Sequence, residues 1–292
     1  MRKPPSHDTG EASRQLPVTF PPRTDELMSS WIGRHAEFYA VPPLAMLRHC
    51  LPEVSSLRAA DLHLNEDQVF RVARVFSADT STVRRATFAN IAQSSRRLLA
   101  KEPVQSCWCC HLASHEPGPV LRSQLLGWRI TCPLCDGPLR QMDKHVRPSP
   151  FARYHRTALI GERLLDDEAE RDVRTWTSPA EIARLLLMRR VARPFSRGHE
   201  PWRFRVLGAI IPDLDDVVER RILPTSASPI LPLHLRPALL AGVAIVERAG
   251  PEMLRMLRGH MMGGNKVRFS GAIEEIMTHT CRSMASSQLQ LI

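Results

Sequence analysis

Residues 105–139 read QSCWCCHLASHEPGPVLRSQLLGWRITCPLCDGPL. Two CxxC pairs lie in this stretch, Cys107 with Cys110 and Cys132 with Cys135, and twenty-one residues separate them. Each pair can turn back on itself so that two thiolates face one point. Two such knuckles brought together offer four sulfurs at tetrahedral positions, the donor set of structural zinc. Gly137 is expected to permit the tight turn in which backbone N–H groups support the sulfurs. Cys109 lies inside the first pair, and it, His111 or His115 can stand in for one of the four. The i, i+3 spacing favours Cys107 and Cys110. A four-sulfur site has no open coordination position, so the expected cofactor is one structural Zn2+ that staples a segment too short to bury its own core. Trp128, just before the second knuckle, is expected to pack on that small core. A redox CxxC would need a thioredoxin-like βαβ setting, and none is read here. Cys50 and Cys281 fall in helical stretches and read as ordinary buried thiols.

Upstream of the knuckles the pattern is helical. Residues 1–23 hold five prolines and little periodic apolar content, which reads as an extended or disordered leader. Thr24 or Asp25 is expected to cap a helix to about Tyr39, with Leu27, Trp31 and His35 on one face. A short helix is expected at Leu44–His49. Glu66–Phe76 and a second helix carrying Val83, Phe88 and Ile91 then form a helix-turn-helix-like pair, capped at Asp79 or Thr80. In that arrangement Arg84 and Arg85 lie near the start of the second helix and point outward. They and Arg96 and Arg97 are the candidate nucleic-acid contacts. An ordinary helical hairpin with solvated arginines fits the same pattern.

Downstream, helices are expected at Ala158–Arg174, from the Ser178-Pro-Ala-Glu181 capping box to Arg189 and Arg190, from Pro237 to Arg248, from Pro251 to Met262 and over Ser270–Ser283. Gly263-Gly264 is expected to end the fourth of these. The fold class is therefore mainly α. The expected layout is a leader over 1–23, a helix-turn-helix-like domain over 24–102, a zinc-ribbon-like insert over 103–145 and a C-terminal helical domain over 146–292.

Composition narrows the function. The 292 residues carry 40 Lys plus Arg against 30 Asp plus Glu, a net charge of +10, and most of the positive charge is arginine. That excess suits a polyanionic partner, with DNA the foremost case. Aromatic residues make up only 5%, which favours a helical core of aliphatic side chains. The longest apolar run, Pro237 to Val246, is too short to span a bilayer, and the N-terminus has no apolar signal region. A cytoplasmic, nucleoid-associated bacterial protein is expected, without a membrane partner. There is no P-loop, no HExxH, no GxSxG and no dinucleotide fingerprint, so no enzymatic activity is expected. The acidic clusters at Asp166, Asp167, Glu168, Glu170 and at Asp213, Asp215, Asp216 read as solvated faces or helix starts.

The residues resemble the TniQ family. LPVTFPPRTDELMSSWIGRHAEFYAV is similar to its N-terminal signature through Glu26-Leu27, Ser30, Trp31 and Arg34. The helix-turn-helix-like stretch follows at the family's distance. The knuckle segment has the family order in Cys107, Cys110, Leu112, Trp128, Cys132, Cys135, Gly137 and Leu139. The resemblance covers about the first 140 residues. It departs in carrying Cys135 where the family often has His, and in lacking a further CxxC after Leu139. The resemblance implies a non-catalytic accessory factor of DNA transposition. Such a factor links target DNA, or a DNA-bound guide complex, to an AAA+ transposition ATPase that recruits the transposase. A zinc-containing helix-turn-helix transcriptional regulator is the alternative.

Overall fold

The computed structural model describes residues 15–112, 118–142, 148–188, 206–217, 230–261 and 263–289. The expected terminus at Arg189 and Arg190, together with His115, lies outside them. The chain parts into two units. The first holds residues 1–90 and 119–122, and the second holds 91–118 and 123–292. The cysteine segment and the C-terminal helices share the second unit.

The first unit is built on helices α1 (Met28–Phe38), α2 (Pro43–Cys50), α3 (Leu57–Leu62), α4 (Glu66–Val75) and α5 (Thr80–Arg85). Neither Thr24 nor Asp25 caps α1. The helix starts at Met28 without a side-chain cap of its own, and Asp25 takes a left-handed φ of 61°. The free donors of its first turn go elsewhere. Met28 N–H donates to Ala86 O at 2.7 Å, and Ser29 N–H donates to the buried Asp61 Oδ1 at 2.9 Å. Burial pushes the Asp61 carboxyl up to about 6.

The Glu26, Ser30 and Arg34 of the signature form one polar knot. The buried Glu26 carboxylate accepts from Arg34 Nε at 2.8 Å, Arg34 Nη2 at 2.6 Å, Ser30 Oγ at 3.1 Å and the Arg23 N–H at 2.8 Å. A carboxylate taken out of water needs this many donors. Trp31 and His35 are fully buried and lie against Phe76 at ring distances of 5.0 and 4.6 Å. Phe38, on the next face, is exposed.

From Gln15 onward the leader is pinned. Leu16 N–H donates to Val75 O, Trp31 Nε1 donates to Phe20 O at 2.8 Å, and the Phe20 ring stacks on His35 at 3.7 Å. His35 Nδ1 lies 3.0 Å from Trp31 O, so Nδ1 carries the proton and Nε2 accepts the Phe20 N–H at 3.3 Å. That pairing requires a neutral ring, and burial lowers the His35 pKa from its ordinary value. A depressed histidine favours the fold fully above about pH 6.5, and the contribution is lost as pH falls below that. Protection of the Phe20 amide from hydrogen exchange, corrected for intrinsic rate, is expected to drop between pH 7 and pH 5. A flat profile would contradict the assignment.

The helix-turn-helix expectation is corrected in one respect. Asn65 and Gln68 form a reciprocal capping box that starts α4, but α5 has only six residues. Phe88 and Ile91 fall beyond it. Chain direction changes because Phe88 N–H is taken by Asp61 O at 2.7 Å. Arg84 and Arg85 therefore stand in the last turn of α5, not at its start.

The second unit contains β1 (Gln105–Cys107), α6 (Trp108–Leu112), β2 (Leu139–Gln141), α7 (His155–Arg171), α8 (Pro179–Leu186), α9 (Leu214–Val217), α10 (Arg236–Ala249), α11 (Pro251–Gly259) and α12 (Gly263–Leu289). The strands pair antiparallel, with Ser106 opposite Arg140 and Cys107 opposite Leu139. Helices α7, α8 and α10 pack their aliphatic faces around a core that includes Phe151, Leu186, Leu207 and Val243. Gly161 sits where α7 meets α10. A Cβ there would lie 2.0 Å from Leu240 O, so only glycine allows the backbones this close. Gly263 and Gly264 open α12 instead of ending a helix, because Phe269, Ile273 and Ile276 bury a face at i, i+4 and i+7. Among the described residues no helix is long and apolar enough to cross a membrane.

Candidate metal centre

The first knuckle leaves β1 at Cys107 and closes in α6 at Cys110; the second runs from Cys132 to Cys135. Pairing of β1 with β2 brings the two together. Cys107 Sγ lies 3.4 Å from Cys135 Sγ, Cys110 Sγ lies 3.8 Å from Cys132 Sγ, and all four sulfurs fall within 4.8 Å of one another. Tetrahedral ligands at Zn–S distances of about 2.3 Å stand about 3.8 Å apart. The cluster therefore has the dimensions of a four-thiolate ion site.

Its electrostatics point the same way. Burial pushes the Cys107 thiol up, but the Cys110 N–H and the neighbouring thiols outweigh it and bring Cys107 down to about 7. Burial and the adjacent sulfurs hold Cys110 and Cys132 above the ordinary thiol range. Thiols this close resist shared negative charge, and a divalent cation removes that repulsion.

The second knuckle is tightly made. Cys132 N–H donates to Gly137 O at 2.8 Å, Asp136 N–H donates to Cys132 O at 2.9 Å, and Leu134 N–H reaches Cys132 Sγ at 3.4 Å. The left-handed residue is Asp136, with φ of 55°, and not Gly137. Gly137 instead supplies room, since a Cβ there would lie 3.3 Å from Cys135 Sγ and 3.8 Å from Cys109 Sγ. Cys109 is exposed and stands outside the group of four. Cys50 is buried at the end of α2, as expected of a core thiol, while the side chains of His111 and Cys281 lie outside the described residues.

Helix α7 positions this segment through carboxylates that sequence reading treats as solvated or passes over. Glu162, almost fully buried, accepts from Ile130 N–H at 3.0 Å, Thr131 N–H at 3.0 Å and Thr131 Oγ1 at 2.9 Å, directly before Cys132. Asp166 accepts from Trp128 Nε1 at 2.8 Å and Arg129 Nη2 at 2.6 Å. Burial pushes the Asp166 carboxyl up to about 6, against the pull of Arg129. Glu168, with no exposed surface, accepts from Ser94 Oγ at 2.6 Å, Ala180 N–H at 2.8 Å and Ser178 Oγ. Glu162, Asp166 and Glu168 are thus internal anchors, while Glu170 is exposed and Asp167 pairs with the exposed Arg171. Arg236, 2% exposed, donates to Leu231 O, Arg129 O and Gln105 Oε1. Gln105 in turn donates to Ser123 O and Leu126 O. A Gln next to a cysteine knuckle and an Arg opening an apolar helix were the signals available for this second set.

The four candidate arginines are divided between the two units. In the first unit, Arg84 pairs with Glu66, and Arg85 donates to Thr82 Oγ1 at 3.2 Å. In the second unit, Arg96 and Arg97 lie in the short turn Ser95–Leu98. Arg96 donates to Ile91 O at 3.1 Å, and Arg97 donates to Ser94 O and pairs with Glu181.

No curated protein and no solved structure matches the chain. The TniQ family model matches residues 17–159, a span that takes in the Glu26–Arg34 knot, α1 to α5 and both cysteine knuckles. Over those residues the chain matches the TniQ family, which is associated with transposition.

Proposed function

We propose that this chain is a non-catalytic accessory protein of DNA transposition that holds one structural Zn2+ on Cys107, Cys110, Cys132 and Cys135. In this reading it links target DNA, or a DNA-bound complex, to an AAA+ transposition ATPase. The observation that carries it is the union of a TniQ family match with a closed four-sulfur cluster inside the matched span. A four-thiolate site leaves no coordination position for substrate, which supports a scaffold and not a catalyst. Bound zinc would fix the two knuckles to each other, and Glu162 and Arg236 would hold them to α7 and α10.

The net charge of +10 supports a DNA-facing role. Arg85 is the most open of the four candidate arginines, and its contacts would be to phosphate. The six-residue α5 gives no support to the regulator alternative, since reading the major groove takes a longer recognition helix.

The test is co-elution of the purified chain with the AAA+ ATPase of the same mobile element, with and without duplex DNA and ATP. A complex that forms with the ATPase and strengthens with DNA is expected. Separate elution under every condition would refute the link.

A further inference from the structure

We infer that Trp108 and Arg140 form a stacking platform for an unpaired base of a nucleic acid strand. Trp31 and Trp128 are fully buried, and their indole N–H groups are satisfied by Phe20 O and Asp166 Oδ1. Trp176 donates to Glu247 O. Trp108 differs from all three: it is 50% exposed.

The platform is made by the ribbon. Arg140 stands on β2 opposite Ser106, and Trp108 follows β1 directly, two residues after Ser106. The Arg140 guanidinium lies 4.8 Å from the centre of the Trp108 ring. Among the described residues Arg140 has no carboxylate within ion-pair distance. The exposed Met142 lies two residues on from Arg140, just past the end of β2.

A half-open indole costs apolar exposure that packing against a flat partner would recover. Cys107 and Cys110 flank Trp108 in sequence, so the knuckle fixes its backbone and little freedom is lost on binding. An indole beside a guanidinium is the chemistry of single-strand recognition, in which the base stacks on the ring and the phosphate meets the guanidinium. In a paired duplex the faces of the bases are already stacked and the ring has nothing to cover. The chain's positive charge favours a polyanion over an apolar peptide. The platform needs a folded knuckle and does not depend on the ATPase link.

The experiment uses the full chain, a labelled 20-nucleotide oligo-dT strand and a labelled 20-base-pair duplex, with affinities read by fluorescence anisotropy. Trp108→Ala is expected to weaken single-strand binding about 5- to 100-fold, given stacking energies of about 1–3 kcal/mol per base. Duplex binding is expected to stay within about 2-fold. Trp108→Phe should retain most of the single-strand affinity. The oligo-dT strand should quench indole emission in the parent but not in Trp108→Phe, and this decides the matter should Trp108→Ala fail to fold. Unchanged single-strand binding, equal loss for strand and duplex, or equal quenching in both proteins would overturn the platform. So would loss of ATPase capture in Trp108→Ala with strand binding intact, which would make Trp108 a protein contact.

Discussion

Replacing Cys132 by serine is expected to lower bound zinc from one ion per chain to less than about a tenth of that after dialysis against a chelator, and to unfold the knuckle segment. Cys132 is the centre of the second knuckle. It is 2% exposed, its sulfur lies 3.8 Å from that of Cys110, and its backbone N–H and C=O close the turn onto Gly137 and Asp136. Among the described residues the small core at this site is Cys107, Cys132 and Leu139, with Cys110 and Leu233 against it. Burial of so few side chains gives little stability without a metal. Structural zinc in comparable small modules contributes about 10–16 kcal/mol of binding energy, so the loss of one thiolate is felt by the whole segment. Cys109→Ser is the control. Cys109 stands outside the four, and its replacement should leave zinc content unchanged. Equal zinc loss in both variants would mean that the ligand set is misassigned.

Glu168→Ala is expected to destabilise the chain by about 3–5 kcal/mol, the scale for breaking a buried charge network. The side chain has no exposure and collects Ser94 Oγ, Ser178 Oγ and Ala180 N–H, with Arg174 Nε at 3.5 Å. Removing the carboxylate leaves these donors without their acceptor and opens a cavity at the start of α8. Glu168→Gln keeps the volume and one acceptor oxygen, and should cost about 1–3 kcal/mol. Urea unfolding followed by circular dichroism measures both. A loss below about 1 kcal/mol for the alanine variant would show that solvent replaces the network.

These two sites differ in how far the sequence alone discloses them. Four cysteines in two matched pairs can be read without coordinates because metal chemistry restricts both residue type and spacing. Helices α10 and α11 are legible from proline in their first turns and from aliphatic periodicity, although α11 ends earlier than its pattern implies. The anchors on α7 are not legible. An acidic run on a helix has the same local signature whether water or buried donors face it, and the donors to Glu162 and Glu168 come from residues 94, 130, 131, 178 and 180. The start of α1 is hidden from the local sequence for a related reason. Its first donors are taken by Asp61 and Ala86, far along the chain, and no local capping rule anticipates that. The second helix of the helix-turn-helix pair looks longer in sequence than α5 is, because Phe88 and Ile91 continue the apolar spacing. Both are buried, but a hydrogen bond from Phe88 N–H to Asp61 O has already turned the chain.

X-ray absorption at the zinc edge on the purified full chain reads the ligand set itself. One zinc per chain is expected, surrounded by four sulfur neighbours at about 2.3 Å, with no nitrogen or oxygen in the coordination sphere. A mixed sulfur–nitrogen sphere, or a protein that retains no zinc while folded, would contradict it.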